Sequence, residues 1–125
     1  LNFLLLSVIK DKYLSGVLGK KLQYAINKVL MEDELNGTPR WISALAILPC
    51  SDLIATGSND GFLRLWKVNS KNKSITQVSQ CEVKGFINDL TFTSDGSHIF
   101  AAIGQEHRLG RWSKISDTKN QLICI

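Results

Sequence analysis

Ala55-Thr56-Gly57-Ser58-Asn59-Asp60-Gly61-Phe62-Leu63-Arg64-Leu65-Trp66 is the stretch on which the fold turns. Leu53 to Thr56 is a short apolar run closed by the turn cluster Gly57 to Gly61, in which Asp60-Gly61 favours the positive φ angles of a tight hairpin. Phe62, Leu63, Leu65, Trp66 and Val68 then make the next strand, and Asn69 to Ser74 is a polar loop. Upstream, Ile42 to Leu48 is a mostly apolar run ended by Pro49-Cys50-Ser51-Asp52, and downstream Ile75 to Val83 supplies a fourth strand. Short strands joined by tight turns predict an antiparallel meander.

The same events recur. Phe86 to Thr93, the turn Ser94-Asp95-Gly96-Ser97, His98 to Gly104, a charged turn and Leu109 to Ile115 follow in order, with Gln121 to Ile125 as the fourth strand. Laying Trp41-Ile42-Ser43-Ala44-Leu45 on Phe86-Ile87-Asn88-Asp89-Leu90 gives an offset of 45, and laying Trp66 on Trp112 gives 46. A period of that size with four strands per unit is the mark of propeller blades. Blades cover their apolar faces on one another, and 125 residues hold fewer blades than a ring needs. The chain, which starts at Leu1 and not at Met, therefore reads as a fragment that needs further blades upstream and is marginal or self-associating alone.

Composition sets the outer limits. A mass of 13.9 kDa, 44% hydrophobic and 21% charged residues fit a folded chain of domain size, and no apolar run approaches the length of a bilayer span. The net charge of +4 is spread along the chain, which permits an anionic partner without indicating one. Cys50, Cys81 and Cys124 are widely spaced and form no CxxC, so they read as reduced structural thiols, with one bridge and one free thiol as the alternative, and not as zinc ligands. Residues 1–38 match no unit. Leu4-Leu5-Leu6 with Val8 and Ile9 reads as a buried strand, the pattern from Val17 to Leu35 suits helix or strand equally, and Lys20 to Leu30 reads as part of a preceding blade joined by a linker. The units proper are 39–85 and 86–125.

Residues 55–66 closely resemble the end of a WD repeat, with Trp66-Lys67 standing where that family has Trp-Asp. The resemblance implies an all-β fold: a partial WD-repeat β-propeller of about two to three blades, each of four antiparallel strands, from a seven-bladed ring. It also implies a hydrogen-bond network in which Ser58, Asp60 and Trp66 take three of the four roles. The Gly-His pair that supplies the fourth is absent, so Asp60 either joins such a network or caps its own turn. Trp112 takes the position of Trp66 in the second unit, and both indoles read as core or interblade packing.

Gly85-Phe86-Ile87-Asn88 and Gly104-Gln105-Glu106-His107-Arg108-Leu109-Gly110-Arg111-Trp112 look like the last blade of the branch of this family that associates with U3 small nucleolar RNA. Trp41 to Ala46 and Asp52 to Ser58 look like its penultimate blade. That resemblance implies a nucleolar, non-catalytic scaffold in a box C/D small nucleolar ribonucleoprotein that processes pre-ribosomal RNA. Its partners would be the RNA, the particle's proteins and the missing N-terminal blades, with no membrane, small-molecule substrate or cofactor. A generic WD-repeat adaptor that binds only protein is the alternative.

Arg108 and Arg111, with His107 and Trp112 beside them, are basic and aromatic side chains suited to phosphate contact and base stacking, so Arg108, Arg111 and His107 are the candidate RNA contacts. Arg64 precedes Trp66 in a similar way and reads as an exposed position on a half-buried blade. No nucleophile motif, phosphate loop or metal-ligand spacing accompanies His98 or His107, so neither catalytic nor metal residues are assigned.

Overall fold

The computed structural model describes residues 42–125, apart from positions 70, 73 and 109 and the side chain of Trp112. The expectations placed on residues 1–41, including the strand at Leu4 to Ile9 and the part-blade at Lys20 to Leu30, lie outside the described residues.

β1 (Ala44–Ile47), β2 (Leu53–Gly57), β3 (Phe62–Asn69) and β4 (Ser74–Glu82) form one antiparallel sheet in the order of the chain. This is the expected meander. Gly61 has φ +93° in the turn between β2 and β3, and the Phe62 N–H donates to Asp60 Oδ1 at 3.1 Å. An aspartate followed by glycine thus fixes the register that sets Ile54 opposite Trp66 and Thr56 opposite Arg64. β2 is buried on both faces, as befits an inner strand, whereas β4 is mostly exposed. Pairing between β3 and β4 slips after Leu65, leaving Val78 as an extra, exposed residue on the outer strand. A bulge there kinks an edge that would otherwise invite pairing with another chain.

The second unit departs from the expected strand order. β5 (Phe86–Phe92) pairs with β6 (Ile99–Gly104), and β6 pairs with β9 (Gln121–Cys124). Among the described residues β7 (Glu106–His107) and β8 (Gly110–Lys114) pair only with each other, as a small separate ribbon. Of the stretch expected to be the third strand, Leu109 to Ile115, the described residues 110–115 therefore stand outside the sheet, and the expected fourth strand takes third place. The physical reason lies in what each segment can bury. Ile123 packs against the core and Ile125 exchanges two backbone hydrogen bonds with Ile99, at 2.8 and 2.9 Å. Glu106, Arg108, Arg111, Ser113 and Lys114 have little apolar surface to offer a sheet. In consequence Trp112, on β8, does not stand next to β6 as Trp66 stands next to β2.

One apolar core joins the two units. Ala44, Ala46, Ala55 and Leu63 come from the first sheet, and Ile87, Leu90, Ile99, Ala101 and Ile103 from the second. Small residues let the sheets approach closely: a Cβ on Gly57 would run into the side chain of Ile87. The backbones are also tied, since the Ile87 N–H donates to the Ser58 carbonyl at 3.3 Å and the Ser43 hydroxyl lies in donor range of the Ile87 and Gly57 carbonyls.

Candidate nucleic-acid interface

Three buried polar contacts hold the first hairpin. The Trp66 indole N–H donates to Thr56 Oγ1 at 2.8 Å inside the sheet. The resemblance gave the hydroxyl role to Ser58, but the acceptor is Thr56, two residues earlier and on the strand that faces Trp66. Ser58 is buried at the seam, where its carbonyl meets Ile87. Of the two readings left open for Asp60, the cap of its own turn is what the hairpin shows, and its other carboxylate oxygen forms an ion pair with the guanidinium of Arg64. Arg64 is only 2% exposed, correcting the expectation of a solvated position, and its guanidinium lies 5.5 Å from the centre of the Phe62 ring. In this hairpin an arginine pairs with the turn aspartate, to which the family's pattern assigns a histidine.

The candidate RNA contacts gather in the second unit around a cleft of about 680 Å³, lined among others by Asn88, Gln105, Glu106, His107, Arg108, Arg111 and Asn120. Its framework is made by amide side chains. Pairing of β5 with β6 slips between Ile87 and Asp89, so Asn88 is the extra residue of a bulge, and a bulge re-aims its side chain. Asn88 Nδ2 donates to the Glu106 carbonyl at 3.0 Å, and Asn88 Oδ1 accepts the Arg108 N–H at 3.1 Å. β7 is thereby stapled on both sides of His107. At the base of the ribbon the Gln105 N–H donates to Asn120 Oδ1 at 3.1 Å, and the Gln105 carbonyl accepts the Ile115 N–H at 2.8 Å. Asn88, Gln105 and Asn120 were not singled out from the sequence, because nothing in a lone asparagine announces a bulge or the backbone it will bind.

The three predicted contacts separate by burial. Arg108 is exposed, with no ion pair among the described residues. The Arg111 side chain is 87% exposed, and its Nε lies 3.2 Å from Glu106 Oε2. His107 is 5% exposed and meets the Phe86 ring edge-on, with centroids 6.1 Å apart. Burial pushes its imidazole below the ordinary histidine range, and the positive charge of Arg108 acts in the same direction. His107 is accordingly a neutral packing group under the ribbon at neutral pH, while the two arginines face solvent. Pairing in the ribbon also slips: Glu106 opposes Lys114 and His107 opposes Gly110, so residues 111–113 have no partners on β7, and Arg111 and Ser113 are exposed.

Two expected results follow from this framework. Asn88→Ala strips a hydrogen-bond partner from the Glu106 carbonyl and the Arg108 N–H, which should cost about 1–3 kcal/mol and raise amide exchange selectively across 105–115. Exchange unchanged there, measured by mass spectrometry, would show that the amide does not hold the ribbon. The depressed His107 gives a pH dependence with a definite sign. The unfolded imidazole takes up a proton near its ordinary value of about 6.5 while the folded one resists. The stability it contributes is present above that value and is lost as pH falls toward the lower, folded pKa. Melting temperature should therefore fall between neutral and mildly acidic pH, and His107→Gln should flatten that part of the profile.

A family model described as WD domain, G-beta repeat, matches residues 31–67. The chain is 42% identical over 87 residues to human U3 small nucleolar RNA-interacting protein 2, an alignment that takes in 70% of this chain and 18% of that protein. Ribosomal RNA-processing protein 9 of Saccharomyces cerevisiae is 32% identical over 90 residues, which are 66% of this chain and 16% of the relative. Among solved structures, a crystal structure of RRP9 WD40 repeats superposes with a TM-score of 0.66 at 41% identity, over 70% of this chain and 26% of that one. The chain thus spans less than a fifth of the length of these curated relatives. With two successive antiparallel units that share one core, the first built around the hairpin of residues 53–69, the chain belongs to the WD-repeat family.

Proposed function

We propose that the protein is a non-catalytic scaffold subunit of a U3-type box C/D small nucleolar ribonucleoprotein that acts in pre-ribosomal RNA processing in the nucleolus. The observation that carries this reading is the 42% identity to a relative named for its interaction with U3 small nucleolar RNA, over 70% of this chain. In this reading the ribbon of β7 and β8 touches RNA through Arg108 and Arg111, while other blades of the same propeller and the particle's proteins cover the remaining surfaces. The exposure of both arginines supports that assignment. His107 contributes by packing beneath the ribbon.

The direct test is crosslinking and immunoprecipitation of the intact protein followed by sequencing of the bound RNA. Enrichment of U3 small nucleolar RNA is the expected result, and a background of messenger RNA without it would reject the proposal. Replacing Arg108 and Arg111 together by Ala should weaken RNA binding about tenfold and reduce its salt dependence, since each lost phosphate contact removes about 0.7 from the slope on a single strand. Melting temperature should hardly change, because one arginine is unpaired in the described structure and the other makes an exposed ion pair of little net worth. A sharp fall in melting would assign both arginines to the fold instead.

A further inference from the structure

We propose that Lys114 and Lys119 extend the RNA-contacting surface of the ribbon to its base, where they bind phosphates beyond those met by Arg108 and Arg111; the inference rests on the RNA reading of those two arginines. Residues 86–125 hold four basic and four acidic side chains, a balance along the sequence that the fold does not keep in space. Arg108, Arg111, Lys114 and Lys119 all lie between Gln105 and Asn120, the stretch that joins β6 to β9. Of the four carboxylates, Asp89 is on β5 and Asp95 is in the turn at the opposite end of β6, so Glu106 and Asp117 alone share that stretch. The positive charge of the second unit is thereby collected at one end. At the far end, Gly96 is pressed against the Leu48 side chain, which brings the turn of Asp95 beside that of Asp52, and the exposed Lys71 follows β3 at that same end.

Within the basic end the charges divide. Glu106 pairs with Arg111, and Asp117 lies 3.7 Å from Lys84 Nζ, so each carboxylate offsets one cation. Arg108, Lys114 and Lys119 are exposed and make no ion pair among the described residues. The backbone that carries the two lysines is held. Lys114 opposes Glu106 in the ribbon, the Ile115 N–H donates to the Gln105 carbonyl at 2.8 Å, and Gln105 Nε2 donates to the Thr118 carbonyl. One lysine thus flanks each side of a turn tied to Gln105, and Gln105 itself borders the cleft. An RNA backbone crossing the ribbon meets three cations without carboxylate partners instead of one, and each releases counterions when a phosphate binds it. An ammonium binds phosphate as a point charge, so these lysines add affinity without selecting a sequence.

The test titrates the intact protein with U3 small nucleolar RNA at several salt concentrations. The Lys114→Ala, Lys119→Ala variant should bind about fivefold to tenfold more weakly at low salt, and the slope of log affinity against log salt should be shallower by about 1.4, for two phosphate contacts at about 0.7 each. The Lys67→Ala, Lys71→Ala variant removes the same net charge from exposed positions at the far end, and should keep affinity within about twofold and the slope unchanged. The Lys114→Arg, Lys119→Arg variant should bind as the unsubstituted protein does, since it keeps both charges. Equal losses in the two alanine variants would mean that overall charge and not this surface attracts RNA. Either that result or an unchanged slope in the first variant would overturn the inference while leaving the reading of Arg108 and Arg111 intact. Failure of the unsubstituted protein to bind U3 RNA would overturn that reading and this inference together.

Discussion

Asp60→Ala is expected to cost about 3–5 kcal/mol of folding free energy, which is a large part of the total stability of an ordinary domain. The Arg64 side chain is 2% exposed and that of Asp60 6%, so the substitution takes from a buried guanidinium the carboxylate it pairs with in the hairpin. The same change removes the acceptor for the Phe62 N–H and loosens the turn that sets the β2 to β3 register. The charge term is separable. In the Asp60→Ala, Arg64→Met double variant the buried charge is gone and an apolar chain of similar reach lies near Phe62, so most of the loss should be recovered. Denaturant titration of the intact protein measures both. If the double variant is no more stable than the single one, the turn and not the ion pair carries the effect.

Ile87→Ala should cost about 2–5 kcal/mol, the range for deleting a fully enclosed aliphatic chain that cannot be backfilled. Ile87 is at 0% exposure where the two units meet, with Gly57 pressed against its side chain. Its backbone is tied to Ser58 and lies within reach of the Ser43 hydroxyl, so the units are held in place while the cavity opens between them. Collapse is therefore limited, which favours the upper half of the range. Ile87→Val, which removes one methylene, should cost about 0.5–1.5 kcal/mol. Equal costs for the two variants, read from denaturant midpoints, would mean that the seam relaxes freely.

The first unit was legible because its chemistry is local. Asp60-Gly61 dictates the turn, the turn dictates the register, and alternating apolar residues on either side dictate which face is buried. What remained hidden there was pairing across the register. Thr56 stands opposite Arg64 and receives the Trp66 indole, and Arg64 is buried because Asp60, four residues back, turns to meet it. An arginine in a strand ordinarily signals solvent, and only the folded hairpin brings its counter-ion within reach.

The second unit was legible for β5 and β6, which repeat the same local pattern. It was misleading beyond Gly104 because Trp112 falls where a repeat offset puts the third-strand tryptophan. Sequence spacing could not show that Gln105 spends its backbone groups on Asn120 and Ile115, turning the chain away from the sheet. Of the candidate site, the exposure of Arg108 and Arg111 was legible from charge and turn context. The burial of His107 against Phe86 and the two-sided grip of Asn88 depend on a bulge, and a bulge is a tertiary event.

The excursion from Gln105 to Asn120 leaves β6 and returns to β9 without supplying a rung to either. Its length is thus uncoupled from the ladder: a residue gained or lost at its tip reverses no inward and outward alternation, whereas one gained within Ile99–Gly104 would turn every later side chain of that strand inside out. The reach and charge of this loop can therefore change while the blade beneath it stays as it is.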